Sequence, residues 1–209
     1  MVLVDTMSGA GTGGATAGGN LEQRVLAAGL RCIARWGVAK TTLDDIAREA
    51  GCSRATVYRL FPGGKGSLIQ TVGEREVGRL LVELIEVLDR SDDLEELLVV
   101  AIGTAAAFIR DNEALQTVTR HEPEQLLPYL AFDRLGPLLE ATSTYLGPIF
   151  ARHLGRPSAD EVIEWAARLV LSYTFTPSTT IDLTNDVDVR RLVTTHLIPG
   201  ISRATDTVH

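Results

Sequence analysis

Arg54, Ala55, Thr56, Tyr58 and Arg59 fall within six consecutive positions of a 209-residue chain. Their side chains are those that read duplex DNA. A guanidinium such as that of Arg54 pairs bidentately with a guanine edge, and Ala55 and the Thr56 methyl suit a thymine methyl. Tyr58 and Arg59 can bond phosphate oxygens. Val57 and Phe61 are interleaved with them at helical spacing, so one face of the same short helix is apolar and the other polar.

Such a helix reads DNA only if a rigid scaffold presents it, and the preceding residues supply one. Thr42 is placed to cap a helix carrying Leu43, Ile46, Ala47 and Ala50, with Asp45 three residues on to complete a capping box. Ala47 is small where two helices must cross closely. Gly51 can take the left-handed conformation that ends the helix. Ser53 then caps the next. The segment from Thr41 to Phe61 therefore reads as a helix-turn-helix with its turn at Ala50-Gly51-Cys52-Ser53. Thr41 and Thr42 are expected to grip the DNA backbone on one side. On the other, Ser53, Lys65 and the free N–H groups at the start of the following helix are expected to do so.

Charge supports this assignment once it is mapped along the chain. The net charge is −7, but residues 20–68 hold eight basic side chains (Arg24, Arg31, Arg35, Lys40, Arg48, Arg54, Arg59 and Lys65) against four acidic ones, a local +4. The remainder from Ile69 stands at −10. A basic module displaces phosphate counterions, while an acidic body limits indiscriminate binding.

Beyond this module the sequence continues as helix. Residues 1–19, rich in Gly, Ala, Thr and Ser, read as a flexible tail. Val25, Ala28, Cys32 and Trp36 define a first helix that stops at Gly37. After Pro62-Gly63-Gly64 a long helix runs from near Lys65 to about Asp89, followed by stretches near 93–110, 112–120, 123–130, 133–154, 159–176 and 186–204. Pro123, Pro137, Pro148, Pro157 and Pro177 should punctuate or bend these stretches. No alternating strand pattern, repeat or heptad register is visible, so the fold class is all-α. The expected organisation is a tail (1–19), a helix-turn-helix domain (20–66) and a ligand-binding and dimerisation domain (67–209).

The head resembles the TetR family of transcriptional regulators. The shared elements are Thr42, Ile46, Ala47, Ala50, Gly51, Cys52, Ser53, Thr56, Val57, Tyr58, Phe61, Lys65 and Leu68. The resemblance implies a dimer of nine or ten helices per chain, with the first three binding DNA and the rest enclosing an effector pocket. It departs from the pattern twice. Leu60 stands where many relatives carry His or Tyr against phosphate, and the gap from Phe61 to Lys65 is one residue longer than usual. The Phe61-Pro62-Gly63-Gly64 turn is similar to that of actinobacterial members.

In the body, the helix expected at 159–176 is apolar on nearly every face (Val162, Ile163, Trp165, Ala166, Leu169, Val170, Leu171, Tyr173, Phe175). This predicts burial on two sides, one against the core and one against a second subunit. The last helix is a second candidate for that interface. Phe108, Val118, His121, Tyr129, Phe132, Tyr145, Phe150, Trp165 and Tyr173 are candidate pocket liners, with Leu138 beside them. Their apolar character points to a hydrophobic, lipid-like effector.

The function expected is a one-component regulator, a repressor or alternatively an activator, that binds a palindromic operator in double-stranded DNA as a homodimer. An interaction protein without effector response is the alternative of a different class. Catalysis finds no support. Gly63-Gly64-Lys65 outlines a phosphate loop, but position 59 is Arg and Gly66 follows the lysine. His121 and Glu122 are helix neighbours that point apart. Four histidines and two cysteines show no metal spacing, so neither metal nor cofactor is expected. Cys32 and Cys52 fit a reducing compartment. With no apolar run of membrane-spanning length and no secretory leader, the expected location is the cytoplasm.

Overall fold

A computed structural model of the chain describes residues 15–91, 93–126 and 135–201. Helix α1 (Ala15–Lys40) begins inside the segment expected as tail and loses helical geometry at Gly37, where φ is 80°. An L side chain rarely adopts that angle, so the glycine ends the regular helix where the sequence places its stop. Helices α2 (Leu43–Ala50) and α3 (Arg54–Leu60) follow, then α4 (Gly64–Leu88).

Two compact units divide within α4, the first ending at Gly73 and the second beginning at Glu74. The opening turns of α4 complete the first unit's core. Leu68 is fully buried and Val72 nearly so, alongside Val25, Ala28, Ile33, Ile46, Val57 and Phe61. Each of the valine, leucine, isoleucine and phenylalanine side chains contributes about 1.5–3 kcal/mol by leaving water.

The second unit contains the rest of α4, then α5 (Leu94–Asp111), α6 (Glu113–His121) and a single 3₁₀ turn at Pro123–Gln125. The rest of the expected 123–130 helix lies outside the described residues, as do Tyr129 and Phe132. Helix α7 (Leu135–Leu154) and helix α8 (Arg156–Phe175) form a hairpin joined by Gly155. Helix α9 (Asp186–Leu192) continues into a π-helical turn, Val193–Leu197. Helix α5 is the hub, packing on α6, α7, α8 and α9. Its Leu97, Leu98 and Ile102 join Leu88, Phe150, Ile163, Val189 and Val193 in one apolar core.

Proline positions modify the sequence expectation. Helix α8 starts at Arg156 instead of residue 159, because Pro157 sits in its first turn, where no N–H is required of it. Pro148 lies inside α7 without ending it. No strand occurs among the described residues, and no helix there is long and apolar enough to cross a membrane.

Candidate nucleic-acid interface

The first unit builds its recognition helix from local caps. The Thr42 hydroxyl accepts the Asp45 N–H at 3.2 Å, and the Asp45 carboxylate accepts the Thr42 N–H at 3.2 Å. This closes the reciprocal capping box that starts α2. At the other end Gly51 adopts φ 66°, the Cys52 N–H reaches the Ala47 carbonyl at 2.9 Å, and the Gly51 N–H reaches that of Arg48 at 3.2 Å. That pair of bonds is a Schellman ending, which turns the chain sharply toward α3. The orphan carbonyl of Ala50 accepts Arg24 Nη2 from α1 at 2.6 Å.

Ser53 caps α3 by accepting the Thr56 N–H at 3.1 Å. Val57 is fully buried and Phe61 nearly so, which turns the opposite face outward. Ser53, Arg54, Ala55, Tyr58 and Arg59 are exposed there, and Thr56 is half-buried. Arg54 is not a loose side chain. Its Nη1 donates to Asp44 Oδ2 at 2.9 Å, its Nη2 meets the Tyr58 hydroxyl at 3.4 Å, and its guanidinium lies 5.4 Å from the Tyr58 ring centroid.

Two backbone contacts expected from sequence are placed differently. Thr41 is fully buried and donates its hydroxyl to the Gly37 carbonyl at 2.6 Å. It closes the end of α1 and has no surface to offer phosphate, which corrects its assignment as a DNA contact. Lys65 Nζ donates to the Ala39 carbonyl at 3.1 Å, placing its charge at the C-terminal end of α1. Lys65 therefore has a structural partner that the motif alone did not reveal. Sequence reasoning also missed Asp44, Arg24 and the Arg31–Glu49 ion pair at 2.7 Å. Arg24 and Glu49 lie 26 and 18 positions from their partners, separations at which helical spacing carries no signal.

The carboxylates of this unit give it an acid limit. Hydrogen bonding from Thr42, then from Arg48, holds Asp45 below the ordinary carboxylate range, and Arg31 does the same for Glu49. A depressed folded-state value means that the stabilisation is complete above the unfolded-state pKa near 4 and fades as pH falls through the folded one. Thermal melts between pH 7 and pH 3 are therefore expected to show an acid-side loss of stability. Thr42→Ala should make that loss shallower, because the largest of the interactions that hold Asp45 down is then gone, with Arg48 and the backbone N–H remaining. A Thr42→Ala variant with an unchanged acid limb would remove the capping box from the account.

Among the described residues, the candidate pocket liners fall in different environments. Tyr145 and Tyr173 pack against the second unit's core, and Phe150 is so deeply buried (1% exposed) that it is core packing. Phe108 lies beneath Arg79, whose guanidinium is 5.7 Å from its ring, and Val118 is buried on α6. His121 is exposed in the last turn of α6, where a helix end keeps a polar ring in water. Trp165 is 57% exposed, two positions from buried Ile163 and so on the far side of α8. His121 and Trp165 thus both stand at the chain's surface. An open depression of about 430 Å³ lies along α9, lined by Asp186, Val187, Arg190, Arg191 and Thr194, none of them a predicted liner.

With this geometry in place, comparison with known proteins is decisive. The family of bacterial regulatory proteins named tetR matches residues 25–72, the span from the core of α1 to the second turn pair of α4. Residues 25–72 are therefore a TetR-family DNA-binding domain. A chain that carries this domain is a transcriptional regulator. It is 29% identical over 189 residues to an uncharacterised HTH-type transcriptional regulator of Mycobacterium tuberculosis, covering 87% of this chain and 85% of the relative. Its fold matches that of the TetR-family repressor AlkX from Dietzia, implicated in n-alkane biodegradation (TM-score 0.65, 19% identity, 87% of this chain and 95% of that one). It also matches the regulator FadR of Bacillus subtilis, solved with stearoyl-CoA (TM-score 0.54, 17% identity, 82% and 96%).

Proposed function

We propose that this TetR-family regulator is a dimeric repressor that occupies a near-palindromic operator and leaves it when a small hydrophobic effector binds. The observation that carries the reading is the exposed face of α3, where Arg54, Ala55, Tyr58 and Arg59 stand on a helix fixed by caps at both of its borders. Thr42, Ser53 and Thr56 lie beside that face, with Lys65 behind it as a phosphate contact that must share its ammonium with Ala39.

Dimerisation follows from the way a helix-turn-helix is read. Two recognition helices must enter successive major grooves about 34–36 Å apart. The outer face of α8 supports a subunit interface, since exposed Trp165 is the kind of aromatic residue that anchors one. Trp165→Glu is expected to yield a monomer at micromolar concentration by light scattering and to weaken operator binding at least tenfold (about 1.4 kcal/mol). A dimer undisturbed by this change would move the interface off α8.

A hydrophobic effector is supported by the apolar second unit and by the stearoyl-CoA complex of the fold relative FadR. Helix α4 begins in the DNA-binding unit and ends in the second, which gives the effector one continuous element to act through. The test is an electrophoretic shift with the DNA upstream of the protein's own gene, repeated with long-chain acyl-CoA and n-alkane. A shift at moderate salt that acyl-CoA or alkane reverses is the expected result. No shift even at low salt would contradict operator binding, and a shift indifferent to both ligands would contradict the effector class.

A further inference from the structure

Asp44 is the one acidic side chain joined directly to the proposed reading face in the described residues. It sits in the first turn of α2, is half exposed, and takes Arg54 Nη1 at 2.9 Å across the turn. It has no part in the capping box, which belongs to Thr42 and Asp45. A carboxylate beside DNA repels phosphate, so its presence needs a compensating use. Arg54 is held on its other side by the Tyr58 hydroxyl and ring, and the guanidinium is therefore clamped between two elements, α2 and α3.

We infer that Asp44 is a specificity-determining positioning residue, which orients the Arg54 guanidinium for a base edge and lowers its attraction to phosphate at other sequences. This rests on the reading of α3 as the recognition helix. Arginine has five N–H donors in a rigid fork, so the Asp44 bond at Nη1 and the Tyr58 bond at Nη2 leave Nε and the second Nη2 N–H able to reach a guanine. An arginine without this tether would find phosphate oxygens on any duplex. The carboxylate thus trades non-specific affinity for discrimination, the relation that makes the specificity ratio the informative quantity.

The test uses the full chain and a duplex enriched from a randomised library by the wild-type protein, with a scrambled duplex of equal length as competitor. Asp44→Ala is expected to bind the scrambled duplex more tightly and to lose about tenfold in the selected-over-scrambled ratio. Asp44→Asn keeps an acceptor for Arg54 without the charge. It should bind both duplexes more tightly while holding its ratio near wild type. In an Arg54→Ala background, Asp44→Ala should leave the ratio unchanged, since the group it positions is gone. Equal tightening on both duplexes by Asp44→Ala would show a merely repulsive charge and overturn the inference. So would an equal loss of ratio in the Arg54→Ala background. If the wild-type protein enriches no sequence, the recognition reading itself fails, a result distinguishable from either of these.

Discussion

Phe61→Ala is expected to destabilise the DNA-binding unit by about 3–5 kcal/mol, the range for truncating a buried aromatic side chain. Phe61 closes α3, donating its N–H to the Val57 carbonyl at 2.8 Å, and its ring is 4% exposed in the core made with Val25, Ile46, Val57 and Leu68. A small core has few residues to collapse into the void, so the cost belongs at the upper end of the range. Urea melts of the full protein should show an early transition absent from the wild type, while the second unit's core, built from other residues, unfolds as before. Phe61→Leu, which keeps most of the volume, should stay within about 1.5 kcal/mol of wild type. A loss below 1 kcal/mol for the alanine variant would mean that Phe61 is not what fixes α3 against its neighbours.

Arg54→Ala is expected to weaken binding to a selected operator by roughly 1–3 kcal/mol and to relax base preference at one position of each half-site. The change is at the surface, where the Asp44 pair itself contributes little to folding, so melting behaviour should hardly move. Arg54→Lys separates charge from geometry. A point charge retains phosphate attraction but not the planar fork, so the variant should keep its affinity for scrambled DNA and lose discrimination. Tyr58→Phe, which removes one hydroxyl from the same face, should cost less than Arg54→Ala. Unchanged binding by both Arg54→Ala and Tyr58→Phe would take the recognition face away from these residues.

The helix-turn-helix was legible because its structure is local. Caps at Thr42 and Ser53 and the left-handed Gly51 each act within four residues of the backbone groups they satisfy. Residue type misled where the environment is set from afar. Thr41 and Thr42 are the same residue in adjacent positions, yet one is sealed under the end of α1 and the other exposed. Lys65 matches the family motif but is held by a carbonyl 26 residues earlier.

The body was less legible for the same reason. An aromatic residue on a helix announces an apolar contact without saying which partner makes it. Phe150 and Trp165 looked alike in sequence, and the fold buries one and exposes the other. Periodicity across 159–176 did carry information, since Ala159, Ile163 and Val170 mark the inward face and leave Trp165 outside. Because α4 is one unbroken helix, only packing reveals that Leu68 and Val72 serve the head. Asp44 stayed silent because its partner lies across the turn, on the next helix.

The central claim is that two copies of α3 read DNA in successive major grooves, and hydroxyl-radical footprinting of the selected duplex tests it most directly. The account predicts two protected segments on one face of the DNA, centred about 10 base pairs or a multiple of that apart, and their disappearance with Arg54→Ala at protein concentrations that saturate the wild-type footprint. A single protected segment, or a pair that survives Arg54→Ala unaltered, would contradict it.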